Sequence, residues 1–572
     1  MKKLLFILSS LFYGIGMNAQ NCSSLNVHCV DVISGPTQEY VTIQDAVDAA
    51  SAGDTVLVFN GTYQGFRVTT SGTSVAPLVI KAYQPNVIIN TSESISGNEH
   101  IYILNSDFVT IEGFKVIGAG KYSVGVHNGT PNSPNVGIVI KGNDISNSGK
   151  DNLYFSNTEN LLVENNLLHD AVQHGMYLSN AGTDNVTVRN NQIYDNGLAG
   201  IHFNGDISLG GDGMQQDHTI EGNIIFGNGQ NGLNMDGVEN TTIINNVFHD
   251  NGRHAVHGYQ ISAADGPENM IIINNSMYNN SSWAIKFIQD DGGHIIFNNV
   301  LLSNLGSIAV EHANVQSNNN IVQNQFSLNG GSSILSLASW NSSGNDVASI
   351  IETPTQTYTN PAGSNFQLNT SSAALDSVGV GTFGGINAPG DDFYGTLRPQ
   401  GVKTDVGAIE LSQCATIDTS IAVTGPVLTS AENGATYQWI DCNNNNIPIA
   451  GATNQSYTAT DNGSYAVIVT VSGCTDTSSC HSIVTSGLPE NTFGSEFTVF
   501  PNPTSDQLTV DLGATLSNVI IKVSNLKGQL ISTTLYEKAE LITFDIEGAP
   551  GVYMVDIQTE NGDIKTFKVL KK

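Results

Sequence analysis

Histidine, tyrosine and lysine recur at one position of a sequence unit that repeats through the middle of this chain. When the repeats are aligned on a shared asparagine, this position holds, in order, His127, Tyr154, Tyr177, His202, Asn234, His257 and Lys286. Imidazole, phenol and ammonium groups can exchange protons with a substrate near neutral pH when their pKa values are shifted. The column is therefore a candidate catalytic surface, and its candidate catalytic residues are Tyr177, His202, His257 and Lys286.

Further polar and aromatic residues flank this column in the sequence. Successive members of the column would lie about 5 Å apart, close to the repeat of a sugar chain. Rings stack on pyranoses, and their polar edges bond hydroxyl groups. We therefore expect a polysaccharide partner and predict the following substrate-binding residues: His127, Tyr154, His174, Asn234, Asp236, Arg253, His254, Tyr259 and Trp283.

These residue types favour β-elimination on a uronic-acid polymer, a reaction that requires a base, an acid and a positive group beside the carboxylate. Lys286, His257 and His202 are candidate bases or neutralising groups. Tyr177 and Tyr259 are candidate proton donors. Three alternatives remain open: a non-catalytic glycan-binding or adhesive protein, a uronate epimerase, and a glycoside hydrolase.

Hydrolysis ranks below elimination because it requires two carboxylates at a defined separation. The column supplies Asp236, and the pair Asp290 and Asp291 follows beyond it. Polygalacturonases, which share the expected fold, carry adjacent aspartates followed by a "GHG" signature that is absent from this sequence.

Two repeats carry insertions, from Asn204 to His218 and from Tyr259 to Asn269. Insertions in repeat proteins collect on the binding face, so we expect them to form the walls of a groove. The first insertion contains three carboxylates that could bind Ca²⁺, the one cofactor that we consider: Asp206, Asp212 and Asp217. Their spacing differs from that of an EF-hand loop, and solvated turn carboxylates are the alternative interpretation.

The elements that position these residues follow from the repeat itself. Units of short apolar strands and polar turns recur at intervals of 23 to 32 residues, anchored on Asn143, Asn166, Asn191, Asn223, Asn246, Asn275 and Asn299. Such a unit is long enough for three short strands and three turns, which is one rung of a parallel β-helix. Stacked asparagines would stabilise the turns. A second column is predicted at Asn147, Asp170, Asn196, Asn228, Asn251, Asn280 and Asn304.

One helix is predicted at the beginning of the solenoid. The segment "TIQDAVDAASAGD" places Ile43, Ala46, Val47 and Ala50 on one face, after Thr42 as the N-cap. A helix at this position would cover the first open coil and its unpaired strand edges.

The ends of the sequence indicate an exported protein. Residues 1–19 combine Lys2 and Lys3 with an apolar run and read as a signal peptide. No other stretch is apolar enough to span a bilayer. All six cysteines follow the signal peptide, which suits an oxidising compartment, and Cys22 and Cys29 form a natural pair. The net charge of −31 excludes nucleic acid as a partner.

The predicted fold class is all-β: a parallel β-helix over residues 36–412 and then two small β-sandwich domains. Residues 413–486 contain four cysteines, which allow three pairings, and Trp439 on a central strand. Residues 487–496 read as a linker. Residues 497–572 contain alternating strands and a hairpin turn.

Three family resemblances refine this assignment. The opening "TIQDAVDAASAGDTVLVFNGTYQGF" and the ending "DDFYGTLRPQGVKTDVGAIEL" resemble right-handed pectate-lyase-like β-helices. The segment "TYQWIDCNNNNIPIAGATNQSYTATDNGSYAVIVTVSGC" resembles immunoglobulin-like spacer modules of exported Bacteroidetes proteins. "VFPNPTSDQLTVDL" and "GVYMVDIQTENGDIKTFKVLKK" resemble the C-terminal sorting domain of the type IX secretion system, which implies that machinery as a partner and release or attachment at the outer-membrane surface.

Overall fold

The computed structural model describes residues 22, 26–32, 39–95, 97–128, 133–179, 182–209, 211–411, 417–471, 474–484, 497–560 and 562–572. The predicted signal peptide and the 487–496 linker lie outside these residues. The chain divides into two compact units, Met1–Ala415 and Thr416–Lys572.

The first unit is a parallel solenoid in which each complete coil contributes one strand to each of three sheets. The strands of sheet A are Val27–Val30, Thr55–Val58, Leu78–Ala82, Val109–Glu112, Val139–Lys141, Leu162–Glu164, Thr187–Arg189, Thr219–Glu221, Thr242–Ile244, Ile271–Ile273, His294–Phe297 and Val315–Asn318. The strands of sheet B are Gly61–Gln64, Val87–Thr91, Lys115–Ile117, Asp144–Ser146, Leu167–His169, Gln192–Tyr194, Ile224–Phe226, Val247–His249, Ser276–Tyr278, Val300–Leu302, Ile321–Val322 and Ile350–Ile351. The strands of sheet C are Phe66–Val68, Ile101–Leu104, Tyr122–His127, Asp151–Ser156, Met176–Ser179, Ile201–Asn204, Leu233–Asp236, Val256–Tyr259, Trp283–Phe287, Gly306–Ala309 and Phe326–Ser327.

The core lies inside the coils because side chains alternate along each strand. In Ile201–Asn204, Ile201 and Phe203 are fully buried, whereas His202 between them is partly exposed. The same alternation in neighbouring coils builds one continuous apolar core along the solenoid. It also aligns the outward residues of every sheet into columns.

The first predicted asparagine ladder is confirmed. From Asn143 to Asn299, each side-chain Nδ2 donates to the Oδ1 of the next asparagine at 3.0 to 3.2 Å, and the ladder ends on Asn320. These amides are buried, and each Nδ2 also donates to a backbone carbonyl. The asparagines therefore stabilise the scaffold.

The second ladder is shorter than predicted. It joins Asn196, Asn228, Asn251 and Asn280, and ends on the Ser303 hydroxyl. The prediction was wrong at three positions. Asn147 and Asp170 lie one residue earlier in the turn, in the left-handed backbone conformation that asparagine and aspartate tolerate. Asn304 lies one residue later than the ladder position.

Both ends of the solenoid are covered. The helix Ile43–Ala49 is capped by Thr42, whose hydroxyl accepts from Asp45 N at 3.1 Å, and it buries Ile43, Ala46 and Val47 as predicted. The first strand, Val27–Val30, begins before the predicted start at residue 36 and carries the Cys22–Cys29 disulfide. At the other end, the helix Leu337–Asn341 packs Trp340 on Phe326.

Residues beyond the last coil return along the outside of sheet B. This segment contains the helix Pro354–Thr357, the hairpin of Tyr358–Asn360 and Asn365–Leu368, the 3₁₀ helix Pro361–Gly363 and the short hairpin of Thr382–Phe383 and Ile386–Asn387. Its apolar residues bury outward residues of sheet B in a second core: Phe366, Leu368 and Val406 pack with Val247 and Val300. Sheet C has no such cover among the described residues of this segment.

The second unit contains two antiparallel regions. Residues 421–483 form two sheets around buried Trp439, with strands Ile421–Thr424, Val427–Ser430 and Ser456–Thr458, and Ile447–Pro448, Thr436–Asp441, Gly463–Val471, Cys474–Thr477 and His481–Ile483. Cys442 pairs with Cys480. The last region is a five-stranded half-barrel of Thr498–Phe500, Gln507–Asn525, Leu530–Asp545, Gly551–Gln558 and Ile564–Lys571.

Candidate functional site

The register of sheet C aligns most of the predicted catalytic column. Direct strand partners run from Tyr154 to Tyr177, His202, Asn234, His257 and Lys286, one residue per rung. The four candidate catalytic residues therefore share one outer face, as predicted. With a rung spacing of about 4.8 Å, Tyr154 and Lys286 are five rungs, or about 24 Å, apart.

The alignment was wrong at His127. Gly125 is the residue that pairs with Tyr154, because the strand Tyr122–His127 extends two residues farther along the same face. A side chain at Gly125 would overlap Glu99 and His127, whose ring nitrogen Nε2 lies 2.9 Å from a Glu99 carboxylate oxygen. The His127 ring nevertheless lies 5.1 Å from the Tyr154 ring.

The first rungs of this face form a stack of aromatic rings. Tyr154 is stacked between Tyr122, at 4.3 Å between ring centroids, and Tyr177, at 6.0 Å, with interplanar angles of 5° and 6°. The ammonium of Lys150 lies 5.3 Å from the Tyr177 ring centroid. Ring faces that pack on each other are not available to a sugar, so Tyr154 offers its edge rather than the stacking face that we expected.

The later rungs form a hydrogen-bonded network instead of a stack. His174 Nδ1 lies 2.8 Å from Asp151 Oδ1, and its Nε2 lies 3.2 Å from His202 Nδ1. His202 Nε2 lies 3.4 Å from the Tyr259 hydroxyl, which accepts from Asn234 Nδ2 at 2.7 Å.

Three further contacts complete this part of the face. Asn231 Nδ2 donates to Asn234 Oδ1 at 2.7 Å, and the same oxygen lies 3.3 Å from His257 Nδ1. The Tyr177 hydroxyl accepts from Asn204 Nδ2 at 2.8 Å. Both phenols are thus held by side-chain amides that can stabilise a developing negative charge.

Two cations lie beside this network without an ion-pair partner among the described residues: Arg253 and Lys286. Six other basic side chains of the first unit form ion pairs with carboxylates, namely Arg67, Lys115, Lys141, Lys150, Arg189 and Arg398. Lys81, Lys121 and Lys403 form none among the described residues; Lys121 lies over the Tyr122 ring, and Lys403 donates to a backbone carbonyl. Burial and the charge of Arg253 lower the pKa of Lys286, an effect that Glu311 opposes. In a chain with a net charge of −31, this pair is a local positive site.

His202, His254 and His257 are neutral at physiological pH because burial lowers their pKa values. Burial, the neighbouring His174 imidazole and the charge of Lys150 lower the pKa of His202 to about 3. Burial, Lys286 and Arg253 lower the pKa of His257 to about 3. His254 shows the same effect, since burial, the neighbouring His257 imidazole and the charges of Lys286 and Arg253 lower its pKa to about 2. A neutral imidazole can accept a proton, so the surface offers bases beside fixed positive charge.

The two phenols remain protonated. Burial raises the pKa of Tyr177 to about 12, although the hydrogen bond from Asn204 lowers it. Burial and the charge of Asp236 raise the pKa of Tyr259 to about 12, against the effects of Asn234 and Arg253. Both are therefore available as proton donors.

Several predicted residues lie deeper than a sugar-contacting residue requires. Trp283 is 2% exposed and packed beside Gly306 and Gly331, so its ring presents little surface to a sugar, and its binding role stays a prediction. Asp236 is also buried, and its carboxylate accepts from the backbone N–H groups of Ile261 and Ser262 at 2.8 and 3.0 Å. That carboxylate fixes the second insertion rather than facing a ligand.

Burial also limits two of the histidines. His254 accepts from the backbone N–H of Trp283 at 3.2 Å, and His257 Nε2 is shielded from solvent with no hydrogen-bond partner among the described residues. His202, in contrast, is partly exposed. Of the candidate bases, His202 and Lys286 are the ones that a bound sugar can reach.

The two insertions form one wall. Ile207 N donates to Ser262 O at 3.1 Å, and Ala264 N donates to Gly213 O at 3.0 Å, so the loops are bonded to each other on the same side of the column. The wall includes the 3₁₀ helix Ile207–Leu209 and the short pairing of Gln215–Gln216 with Val238–Glu239. A comparable short pairing joins Asn135–Val136 to Thr158–Glu159.

The three aspartates of the first insertion do not converge. Asp206 Oδ1 accepts from the backbone and hydroxyl of Ser208, and Asp212 Oδ1 accepts from Met214 N. In the part of the chain that the structure describes, no three His, Cys, Asp or Glu side chains come together as a metal site requires. We derive no step through Ca²⁺, and its binding by Asp206, Asp212 and Asp217 stays a prediction.

Four residues of the network were not predicted as site residues from the sequence: Asp151, Lys150, Asn204 and Asn231. Lys150 and Arg253 belong to a column of turn residues that precede the sheet C strands, joined through Gln173, Leu198 and Gln230 by backbone hydrogen bonds. Aligning the repeats at this turn position would have found Lys150 beside Arg253, which was predicted as a substrate-binding residue. The bond from His174 to Asp151 on the neighbouring rung has no comparable signal, because it depends on side-chain direction.

Family comparisons agree with this architecture. Residues 205–370 match the family model "Right handed beta helix region", and residues 47–254 match that of the periplasmic copper-binding protein NosD. The first unit is thus a right-handed β-helix, and part of it is similar to the NosD family model.

The last region is identified separately. Residues 498–572 match the secretion system C-terminal sorting domain. The chain is therefore a β-helix protein with a sorting domain for secretion or for attachment to the outer-membrane surface. Among the described residues, no helix has the length and apolar character to cross a membrane. The immunoglobulin-like assignment of residues 413–486 stays a prediction.

Relatives of known activity match only in part. Pectate lyase PEL9 of Emericella nidulans is 40% identical over 68 residues, which cover 11% of this chain and 16% of that protein. The chain therefore matches less than a fifth of that relative's length.

Several solved structures are similar to parts of the chain at low identity. Pectate lyase Pel9A is 16% identical, with coverage of 64% of this chain and 90% of that chain and a TM-score of 0.45. The alginate lyase of Paenibacillus sp. str. FPU-7 is 16% identical, with 46% and 91% coverage and a TM-score of 0.34. The A-module of the mannuronan C-5 epimerase AlgE6 of Azotobacter vinelandii is 18% identical, with 55% and 94% coverage and a TM-score of 0.36.

Proposed function

We propose that this protein is a secreted polysaccharide lyase that cleaves a uronic-acid-containing glycan by β-elimination. The observation that carries the proposal is the position of Arg253 and Lys286, two cations without an ion-pair partner among the described residues, beside neutral imidazoles and protonated phenols. A site with unpaired positive charge in an otherwise acidic protein favours an anionic ligand.

The polymer would run along the column, with its carboxylates opposite the cations. In the column of turn residues, Leu198 lies on the rung of His202. Lys150 lies two rungs before Leu198, and Arg253 lies two rungs after it. Their charges act on the reacting groups, since Lys150 lowers the pKa of His202 and Arg253 lowers that of Tyr259. Positive charge on both sides of His202 stabilises the negative charge that develops when a uronate loses its C5 proton.

In the reaction, His202 Nε2 accepts the C5 proton. The electron pair forms the C4–C5 double bond, and the C4–O bond breaks. The leaving oxygen takes the proton of the Tyr259 hydroxyl, 3.4 Å from His202, and the amide of Asn234 stabilises the resulting phenolate. Water then returns a proton to Tyr259 as His202 releases its own.

The test is a screen of the purified mature chain against alginate, pectate and chondroitin, with a neutral glycan as the control. Formation of an ultraviolet-absorbing unsaturated product on at least one polyanion is the expected result. The screen includes Ca²⁺ and a chelator as separate arms. If every polyanion binds without forming that product, the protein is a glycan-binding protein and the lyase proposal fails. Altered uronate stereochemistry at constant polymer length would instead identify an epimerase.

A further inference from the structure

A carboxylate with no role in the proposed reaction is fully buried behind His202. Asp151 is 0% exposed, and its Oδ1 lies 2.8 Å from His174 Nδ1 and accepts from His174 N at 3.1 Å. Its Oδ2 accepts no hydrogen bond among the described residues and lies 3.9 Å from Lys150 Nζ. A buried charge is costly unless it is paired and hydrogen-bonded, so its position next to a histidine of the network requires a reason.

The bonding partners of this carboxylate fix the protons of two imidazoles. An ionised carboxylate only accepts, so His174 Nδ1 carries a proton and, in the neutral ring, Nε2 is an acceptor. His174 Nε2 lies 3.2 Å from His202 Nδ1, which must therefore be the donor of that bond. The remaining nitrogen of His202, Nε2, is then an unprotonated acceptor directed toward the Tyr259 hydroxyl.

We infer that Asp151 and His174 are positioning residues that form a proton relay behind His202, an inference that rests on the proposed function. When the C5 proton moves to His202 Nε2, the proton of His202 Nδ1 moves to His174 Nε2, and that of His174 Nδ1 moves to Asp151 Oδ1. Three N–H or O–H bonds form as one C–H and two N–H bonds break. The negative charge thus moves from the buried carboxylate to the substrate, and neither imidazole gains a net proton.

The relay explains how His202 serves as a base. Burial and nearby positive charge disfavour an imidazolium at this position. With the relay, no imidazolium persists, because the proton taken from the substrate is balanced by one delivered to Asp151. The arrangement extends the familiar carboxylate–imidazole pair of general-base sites by one histidine.

The experiment compares Asp151→Asn with Asp144→Asn in the full mature chain. Asp144 forms a similar bond to His169 Nε2, at 3.1 Å, on the outer face of sheet B and away from the site. We expect Asp151→Asn to lower kcat at least about 100-fold with KM within about 3-fold, and Asp144→Asn to leave both unchanged. Wild-type kcat in folded Asp151→Asn would overturn the relay.

Because Asp151 is fully buried, His174→Gln is the second variant, with the same kcat loss expected. Nitrogen NMR of the imidazoles provides a readout without substrate. In the wild type, both His174 and His202 should carry their proton on Nδ1, and Asp151→Asn should change the tautomer of His174. A proton on Nε2 of His202 would overturn the relay. Correct tautomers together with no product on any polyanion would support the relay bonds and reject the lyase proposal.

Discussion

Two outer faces of the same solenoid carry rows of histidine and aromatic residues, and they differ in what surrounds them. On sheet B, the rings of His169, Tyr194, Phe226 and His249 are stacked at 4.8 to 4.9 Å with interplanar angles of 4° to 10°. Phe366 of the returning segment then packs on His249. On sheet C, the stack ends at Tyr177, and the ring of His202 turns to 83° from it.

The charges on the two faces differ as well. The sheet B cation Lys115 and the ring of His169 both pair with Asp144, whereas Arg253 and Lys286 on sheet C have no such partner among the described residues. On sheet B, parallel stacking and neutralised charge suit a stable surface. On sheet C, rings are rotated and held by amides and carboxylates next to unpaired charge, and this arrangement costs stability. The comparison teaches that ring content alone does not identify a site; unsatisfied charge and side-chain bonding do.

The largest expected effect is the loss of the Tyr259 hydroxyl on sheet C, compared with the loss of the Tyr194 hydroxyl on sheet B. Tyr259→Phe removes the proposed proton donor and should lower kcat on the preferred polyuronate by about 10³-fold, within the usual range for a general acid. Tyr194→Phe removes a hydroxyl from the sheet B stack and should leave kcat unchanged. Steady-state kinetics on both variants make the measurement. Equal losses in the two variants would show that the faces do not differ in function.

The second prediction concerns the cover of sheet B. Phe366 is 7% exposed in the core between the returning segment and sheet B. Phe366→Ala should lower the free energy of unfolding by about 3 kcal/mol or more through lost burial and the resulting cavity. Urea unfolding measures this loss. The kcat of the folded variant should stay at the wild-type value, and a fall in kcat in step with stability would place sheet B in the active surface.

The third prediction uses the opposite titration of the two faces. The folded pKa of His257 is about 3, below its unfolded value of about 6.5, so the unfolded state binds more protons in between. The contribution of His257 to the free energy of unfolding is therefore lost as the pH falls below about 6.5. Between pH 7 and pH 4.5, His257→Asn should reduce the loss of unfolding free energy by about 2 to 3 kcal/mol.

His169 on sheet B should act in the opposite direction. Burial lowers its pKa, but the hydrogen bonds to Asp144 and Asp170 raise it above the ordinary value overall. The contribution of His169 to the free energy of unfolding is fully present below its unfolded pKa. It is lost as the pH rises through its folded pKa. His169→Asn should therefore increase the loss of stability on acidification. Urea unfolding at pH 7 and pH 4.5 checks both signs, and slopes of the same sign would contradict the difference.

The smallest effect is expected from salt. Ionic strength screens exposed charges over about 10 Å at 0.1 M, so the KM for a polyuronate should rise about 3-fold to 10-fold between 0.05 and 0.5 M NaCl. Lys286→Gln should reduce this dependence, whereas Lys115→Gln should preserve it. An unchanged dependence in Lys286→Gln would remove that ammonium from the ligand's path.

Much of the scaffold could be predicted from the sequence because it follows from periodicity. The asparagine spacing gave the rungs, the alternation of apolar residues gave the inward faces, and the register from Tyr154 to Lys286 followed from both. The prediction failed at His127, where the strand is longer, and at Asn147 and Asp170, where one residue separates the ladder from the left-handed corner. Such shifts depend on local turn geometry.

The candidate site was less predictable. The sheet B stack has a similar residue content, and it is distinguished by a cover formed from Phe366, more than a hundred residues farther along the chain. The bond from His174 to Asp151 and the absence of ion-pair partners near Arg253 and Lys286 among the described residues depend on rotamers and on neighbours in other rungs. The sequence period aligns the backbones of successive rungs but does not determine these rotamers and side-chain contacts.

The central claim is that unpaired positive charge on sheet C makes this surface act on a polyuronate. Its most direct test is kcat/KM of the double variant Arg253→Gln and Lys286→Gln on the polymer that the wild type cleaves, with Lys115→Gln as the matched control. The account predicts a loss of about 10²-fold to 10³-fold in the double variant, because charge stabilisation of this kind is lost with its donors, and a value near wild type in the control. A folded double variant that forms the unsaturated product at the wild-type rate would contradict the account.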